Sequence, residues 1–127
     1  MNAFTGNIEE LTLANTNFRQ VLWTGQHTQL VLMNLLPNEE IGLEVHEIVD
    51  QFIRVEKGTG KAIIDGTEYE LTDGSAIIIP AGTKHNVVNT SSTEGLKLYT
   101  LYSPAHHKDG TVHKTTADAD KDTEDHI

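Results

Sequence analysis

Cysteine is absent from this chain, proline occurs three times, and aromatic residues make up only 6% of it. Without thiols there are no disulfides and no thiolate ligands. Any metal must be held by histidine, carboxylate or amide oxygen, which excludes structural zinc of the cysteine type. Basic residues are also scarce: nine Lys and Arg stand against nineteen Asp and Glu, a formal net charge of −10. Nucleic-acid binding is led by clustered Lys and Arg, so that class is excluded, and an anionic membrane surface with it. No apolar run approaches the roughly 20 residues of a membrane span. The start, MNAFTGNIEE, has neither the basic region nor the apolar stretch of a signal peptide, so the expected location is cytoplasmic.

What is present is short and β-rich. FRQVLWT, TQLVLMNLL, IGLEVH, QFIRVEKG, KAIID, TEYEL, SAIIIP, HNVVN and LKLYTLY alternate with turn signals, and no segment keeps a helical period. Asp65-Gly66 is a tight-hairpin signal, because both residues tolerate positive φ. With 127 residues the chain makes one domain, expected to be an antiparallel sandwich or barrel. The pattern divides it into an N-terminal edge segment (1–17), a barrel body (18–104) and a polar C-terminal arm with an acidic tail (105–127). The end, DADKDTEDHI, reads as solvated or disordered.

The stretch GLEVHEIVDQF carries the first chemical signal. Side chains alternate faces along a strand, so Glu44 and His46 point one way while Leu43 and Val45 point the other. Gln51 shares a face with Ile53 and Val55. If these two line a core, Gln51 is buried, and its amide then needs partners or a cation. His85, which shares a face with Val87 in HNVVN, is the best fourth member. The plainer alternatives are a surface glutamate at 44, a core or capping histidine at 85, and a Gln51 that only orients a ligand or water.

At these residues the chain resembles the cupin superfamily, in its small single-domain form. In GSAIIIPAGTKHNVVN, residues Gly74, Pro80, Gly82, His85 and Asn89 match the second cupin motif, GxxxxxPxGxxHxxxN. In NEEIGLEVHEIVDQFIRVEKG, His46 and Gly58 match the first motif, while Asn38, Glu44 and Gln51 replace its Gly, His and Glu. The resemblance implies a double-stranded β-helix, a jelly-roll barrel, with one divalent ion held by Glu44, His46, Gln51 and His85. The usual set of three His and one Glu becomes two His, one Glu and one Gln, with the anion moved from the third position to the first. Fe, Mn, Ni, Co and Zn all suit such a set.

Three histidines lie in SPAHHKDGTVHKT: His106, His107 and His113. They read either as a solvated arm or as a flap over the barrel mouth that supplies an acid or base. A second metal site there lacks a regular motif. His27 and His126 read as structural or solvent-exposed, and Tyr102 as a core residue that can reach the pocket. No Arg or Lys is evidently aimed into the pocket, which counts against a phosphosugar substrate. Phe18, Val21 and Trp23 form an apolar stripe near the N-terminal edge, the expected seat of a homodimer contact. The resulting expectation is a metal-dependent isomerase or lyase acting on a small polar metabolite such as a sugar acid. It resembles the uronate-linearising cupins, although those keep His where this chain has Glu44. An Fe(II) dioxygenase and a non-catalytic small-molecule binder are the alternatives.

Overall fold

The computed structural model describes residues 2–126. Helix α1 (Ile8–Ala14) is followed by strands β1 (Arg19–Thr24), β2 (Gln29–Leu35), β3 (Asp50–Lys57), β4 (Gly60–Ile64), β5 (Thr67–Leu71), β6 (Ala76–Ile79), β7 (His85–Asn89), β8 (Leu96–Ser103) and β9 (Val112–His113), and by helix α2 (Thr116–Lys121). Two sheets form, a six-stranded one in the order β6-β3-β8-β2-β1-β9 and a three-stranded one in the order β5-β4-β7. Every ladder is antiparallel. This is the expected all-β jelly-roll barrel.

Alternation places the core between the sheets. Ile53 and Val55 of β3, Val31 and Met33 of β2, Leu96 and Leu98 of β8, and Val87 of β7 are buried there. The turns follow their sequence chemistry. Asp65 and Gly66 have φ of 48° and 82°, the double positive that a two-residue hairpin requires. Gly82 has φ 80° and sits inside a turn closed by Thr83 N–H donating to the Pro80 carbonyl. Together they present His85 at the start of β7.

Three expectations are corrected. The N-terminal segment supplies the helix Ile8–Ala14 and, among its described residues, no edge strand: the Asn7 side chain accepts from Glu10 N–H at 3.0 Å, and Glu9 and Glu10 favour the positive end of the helix. The segment IGLEVH forms no ladder of its own. Glu40 and Glu44 make isolated bridges to Val88 and His85 instead. The C-terminal arm is not a solvated tail. β9 pairs with β1, Thr115 caps α2 by accepting from Asp118 N–H at 3.1 Å, and Asp125 is buried. Phe18 and Val21 of the apolar stripe are buried in the chain's own core.

Candidate metal centre

Backbone hydrogen bonds stitch the two motifs together. Glu44 and His85 exchange N–H···O bonds of 2.9 Å in both directions, and Gly82 N–H donates to the His46 carbonyl at 2.8 Å. The irregular loop carrying Glu44 and His46 therefore lies against the turn and strand that carry His85. Leu43 and Val45 point to solvent, at 71% and 38% exposure, and His46 points inward. Alternation thus operates here without a regular strand. Gln51 enters from β3, opposite Tyr102 of β8.

The donors converge. Glu44, His46 and His106 each offer a ligand atom, all within 4.8 Å of one another. The His85 ring lies 4.9 Å from that of His46, centroid to centroid. His85 Nδ1 donates to the Thr83 carbonyl at 2.9 Å, which leaves Nε2 as the acceptor nitrogen. Gln51 anchors its amide by donating to Thr100 Oγ1 at 3.0 Å, while its buried Oε1 meets no donor. An orphaned amide oxygen costs roughly 1–3 kcal/mol, and a cation relieves that cost. The cluster that lies within 4.8 Å is thus Glu44, His46 and His106, with His85 outside it; the orphaned Gln51 oxygen and the free Nε2 of His85 are nonetheless donor types that suit a divalent ion.

The electrostatics agree. Burial raises the Glu44 carboxyl above its ordinary range, and the charges of Arg19 and His85 pull it back. Burial, then the neighbouring His106 and His85, pull His46 down to about 3. Burial, then His126 and Arg19, pull His106 down to about 4. Both rings are therefore neutral near pH 7, as metal ligation or proton acceptance requires.

The three arm histidines take different places. His106 packs on His46 at 4.1 Å between centroids and on Tyr102 at 5.5 Å. His107 is 1% exposed, and its Nδ1 donates to Asp125 Oδ2 at 2.6 Å. Burial, with Arg19 next, lowers its affinity for a second proton. His113 has both ring nitrogens engaged: Arg19 Nη1 lies 3.2 Å from Nδ1, and Asp122 Oδ2 lies 2.9 Å from Nε2. Of the three, His106 is the one packed on the His46 ring.

Sequence reasoning missed Arg19. It is buried near the start of β1, and with Phe18, Ile41, Glu44 and His126 it lines a cleft of about 210 Å³ whose far wall is α2. A cation does enter the pocket, contrary to expectation. Its place in RQVLW carries no signal of that role, because α2, which walls the cleft opposite it, has no readable pattern in the sequence. A larger groove of about 520 Å³ lies against Tyr69, Ile77 and Ile78, where Glu70 is the one carboxylate. The smaller cleft is richer in metal-capable side chains, with Glu44, Asp120, Asp125 and His126 on its walls.

Comparison with known proteins bears on the family and the fold. Residues 31–102 match the family model described as a cupin domain. The protein YrkC of Bacillus subtilis (strain 168), described as uncharacterized, is 49% identical over 122 residues, covering 91% of this chain and 65% of that protein. The chain thus spans about two thirds of that relative's length. A crystal structure of BH2720 from Bacillus halodurans superposes with a TM-score of 0.93 at 46% identity, covering 95% of this chain and 96% of that one. KdgF from Halomonas, at 22% identity and a TM-score of 0.63 over 68% of this chain and 77% of that one, shares the fold. On the matched motif region and the barrel together, the chain belongs to the cupin family.

Proposed function

We propose that this cupin is a divalent-metal-dependent isomerase or lyase acting on a small hydroxy- or keto-acid. Glu44, His46, His85 and the Gln51 amide oxygen would hold the ion. Two neutral imidazoles, one amide and one carboxylate leave a divalent ion about one net positive charge, enough to polarise a carbonyl or stabilise an enolate. The observation that carries the reading is the cleft beside this set, where Arg19 and Glu44 face the same space. A buried guanidinium suits a substrate carboxylate, which it can grip through two parallel hydrogen bonds. A cleft of this size admits a small acid rather than a polymer.

His106 is the group to move the proton. Its ring is neutral above about pH 4 and packs against His46. It can accept a proton from carbon next to a carbonyl and return it at the neighbouring position. Tyr102, buried and stacked on His106, is held in its neutral form by burial and limits rotation of that ring.

The test is turnover of small sugar acids and keto-acids by metal-stripped, untagged protein reloaded with Zn(II), Mn(II), Ni(II) or Fe(II), with and without oxygen. Activity with Zn(II) under argon is expected, because zinc has no redox chemistry. Activity confined to Fe(II) with stoichiometric oxygen uptake would reject the proposal. It would favour a dioxygenase, to which two His and one carboxylate are equally suited.

A further inference from the structure

A second cluster of donors lies at the C-terminal end, beyond the residues that the cupin motifs cover. His106, His107 and His126 each offer one ring nitrogen, all within 4.8 Å of one another. Their centroids are 4.8 Å (106–107), 4.5 Å (106–126) and 5.2 Å (107–126) apart. The backbone around them is tightly held. His107 and His126 form a β-bridge, and the buried Gln29 carboxamide oxygen accepts from His106 N–H at 3.1 Å and His107 N–H at 3.0 Å.

Two features point to a ligand. The Nε2 atoms of His106 and His107 are both buried and meet no hydrogen-bond partner among the described residues. Asp125 contacts two of the three rings: Oδ2 lies 2.6 Å from His107 Nδ1, and Oδ1 lies 3.5 Å from His126 Nε2. A carboxylate that accepts a hydrogen bond from Nδ1–H fixes the tautomer and leaves the lone pair of the other nitrogen ready to bind a metal. The remaining three-residue group, His113 with Asp122 and Asp125, differs. Both ring nitrogens of His113 are already engaged, and Asp125 is tied to His107.

We infer that His106, His107 and His126 form a second divalent-metal site, next to the one on Glu44, His46, Gln51 and His85 and sharing no ligand with it. Three neutral imidazoles with no carboxylate among the ligands select zinc, nickel or copper over magnesium or calcium. Three ligands also leave a tetrahedral ion one open position. The ion would clip the end of β8 to the end of the chain and so fasten the arm whose α2 walls the cleft. His126, with its side chain 54% exposed, gives solvent a route to the site. Filling the site takes His106 away from proton transfer, which makes it a point of inhibition by excess metal.

The site can stand or fall without the first. Untagged full-length protein, stripped with a chelator, is titrated with Zn(II) by calorimetry, and bound metal is counted by elemental analysis. Wild type is expected to bind two Zn(II) per chain. His126→Ala and His107→Ala should each lose one ion and keep the other, and His85→Ala should show the converse. The exposed His126 keeps the test safe from misfolding, and circular dichroism checks each variant. His126→Ala binding as many ions as wild type would overturn the inference. So would a single ion abolished by both His126→Ala and His85→Ala, since that means one shared site. A single ion lost with His126 but kept without His85 would support this site while refuting the Glu44 centre.

Discussion

Gln29 is the residue on which the docking of the arm turns, and its replacement has a calculable effect. It is fully buried at the start of β2, and its carboxamide makes four hydrogen bonds. Oε1 accepts from the backbone N–H of His106 and His107, while Nε2 donates to the His107 carbonyl at 2.7 Å and to Thr24 Oγ1 at 2.9 Å. Gln29→Leu keeps the approximate volume and strips three backbone groups of their partner. Each buried orphan costs roughly 1–3 kcal/mol. The three share one side chain, so their costs overlap, and about 3–5 kcal/mol is a fair total. The arm can avoid this cost by undocking, so the damage should appear as opening of residues 105–126 and not as collapse of the barrel. Trypsin reads that opening directly at Lys108 and Lys114, where cleavage follows the open population. At about 3 kcal/mol, cleavage should accelerate roughly 100-fold. Gln29→Glu keeps both acceptor contacts but sets a carboxylate oxygen against the His107 carbonyl, so it should fall between the two. Cleavage of Gln29→Leu within about threefold of wild type, with the barrel intact, would refute the reasoning.

Further outcomes follow from the same geometry. His46→Ala and His85→Ala should each empty the Glu44 centre while the barrel stays folded, checked by bound metal and circular dichroism. Gln51→Glu adds a second anion and should tighten Mn(II) binding at least about tenfold, or ~1.4 kcal/mol, by competition with a chelator. Arg19→Gln should raise KM for a carboxylate substrate about tenfold with a smaller change in kcat; an unchanged KM would remove Arg19 from binding. The pH dependence has a definite sign. His46 and His106 are depressed to about 3 and about 4 in the fold, whereas in the unfolded chain they protonate near 6.5. Stability of the metal-free protein should therefore be full above pH 6.5 and fall as pH drops toward 4. Each ring contributes at most about 1.4 kcal/mol per pH unit, and the partly exposed His106 less. Urea midpoints that do not move between pH 7 and 5 would contradict this.

The barrel was legible because its signals are local. The Asp65-Gly66 hairpin, the Pro80-Ala81-Gly82 turn and the burial of Ile53, Val55 and Val87 on alternating faces all follow from a few neighbouring residues. Gln51 was placed inward by the same alternation. Glu44 and His46 were placed on one face correctly although no strand forms there, because the two bridges to β7 impose the extended backbone that alternation needs. The arm was not legible. Its acidic, polar composition suits solvent, and what orders it lies far away in sequence. Gln29 binds 77 and 78 residues downstream, and Arg19 meets His113 94 residues downstream. His126 and Asp125 gain their meaning only from those contacts. Arg19 was missed for the same reason, since the cleft that it lines exists only when the arm is docked.

The central claim is that Glu44, His46, Gln51 and His85 hold a divalent ion beside the cleft that Arg19 lines. Anomalous diffraction from crystals of the untagged protein loaded with Co(II) or Zn(II) tests it most directly. The account predicts an anomalous peak bonded to the Glu44 carboxylate and to a nitrogen of His46 and of His85 at roughly 2.0–2.2 Å, with the Gln51 amide oxygen turned toward it. Metal-loaded crystals with no peak among these four side chains would contradict it.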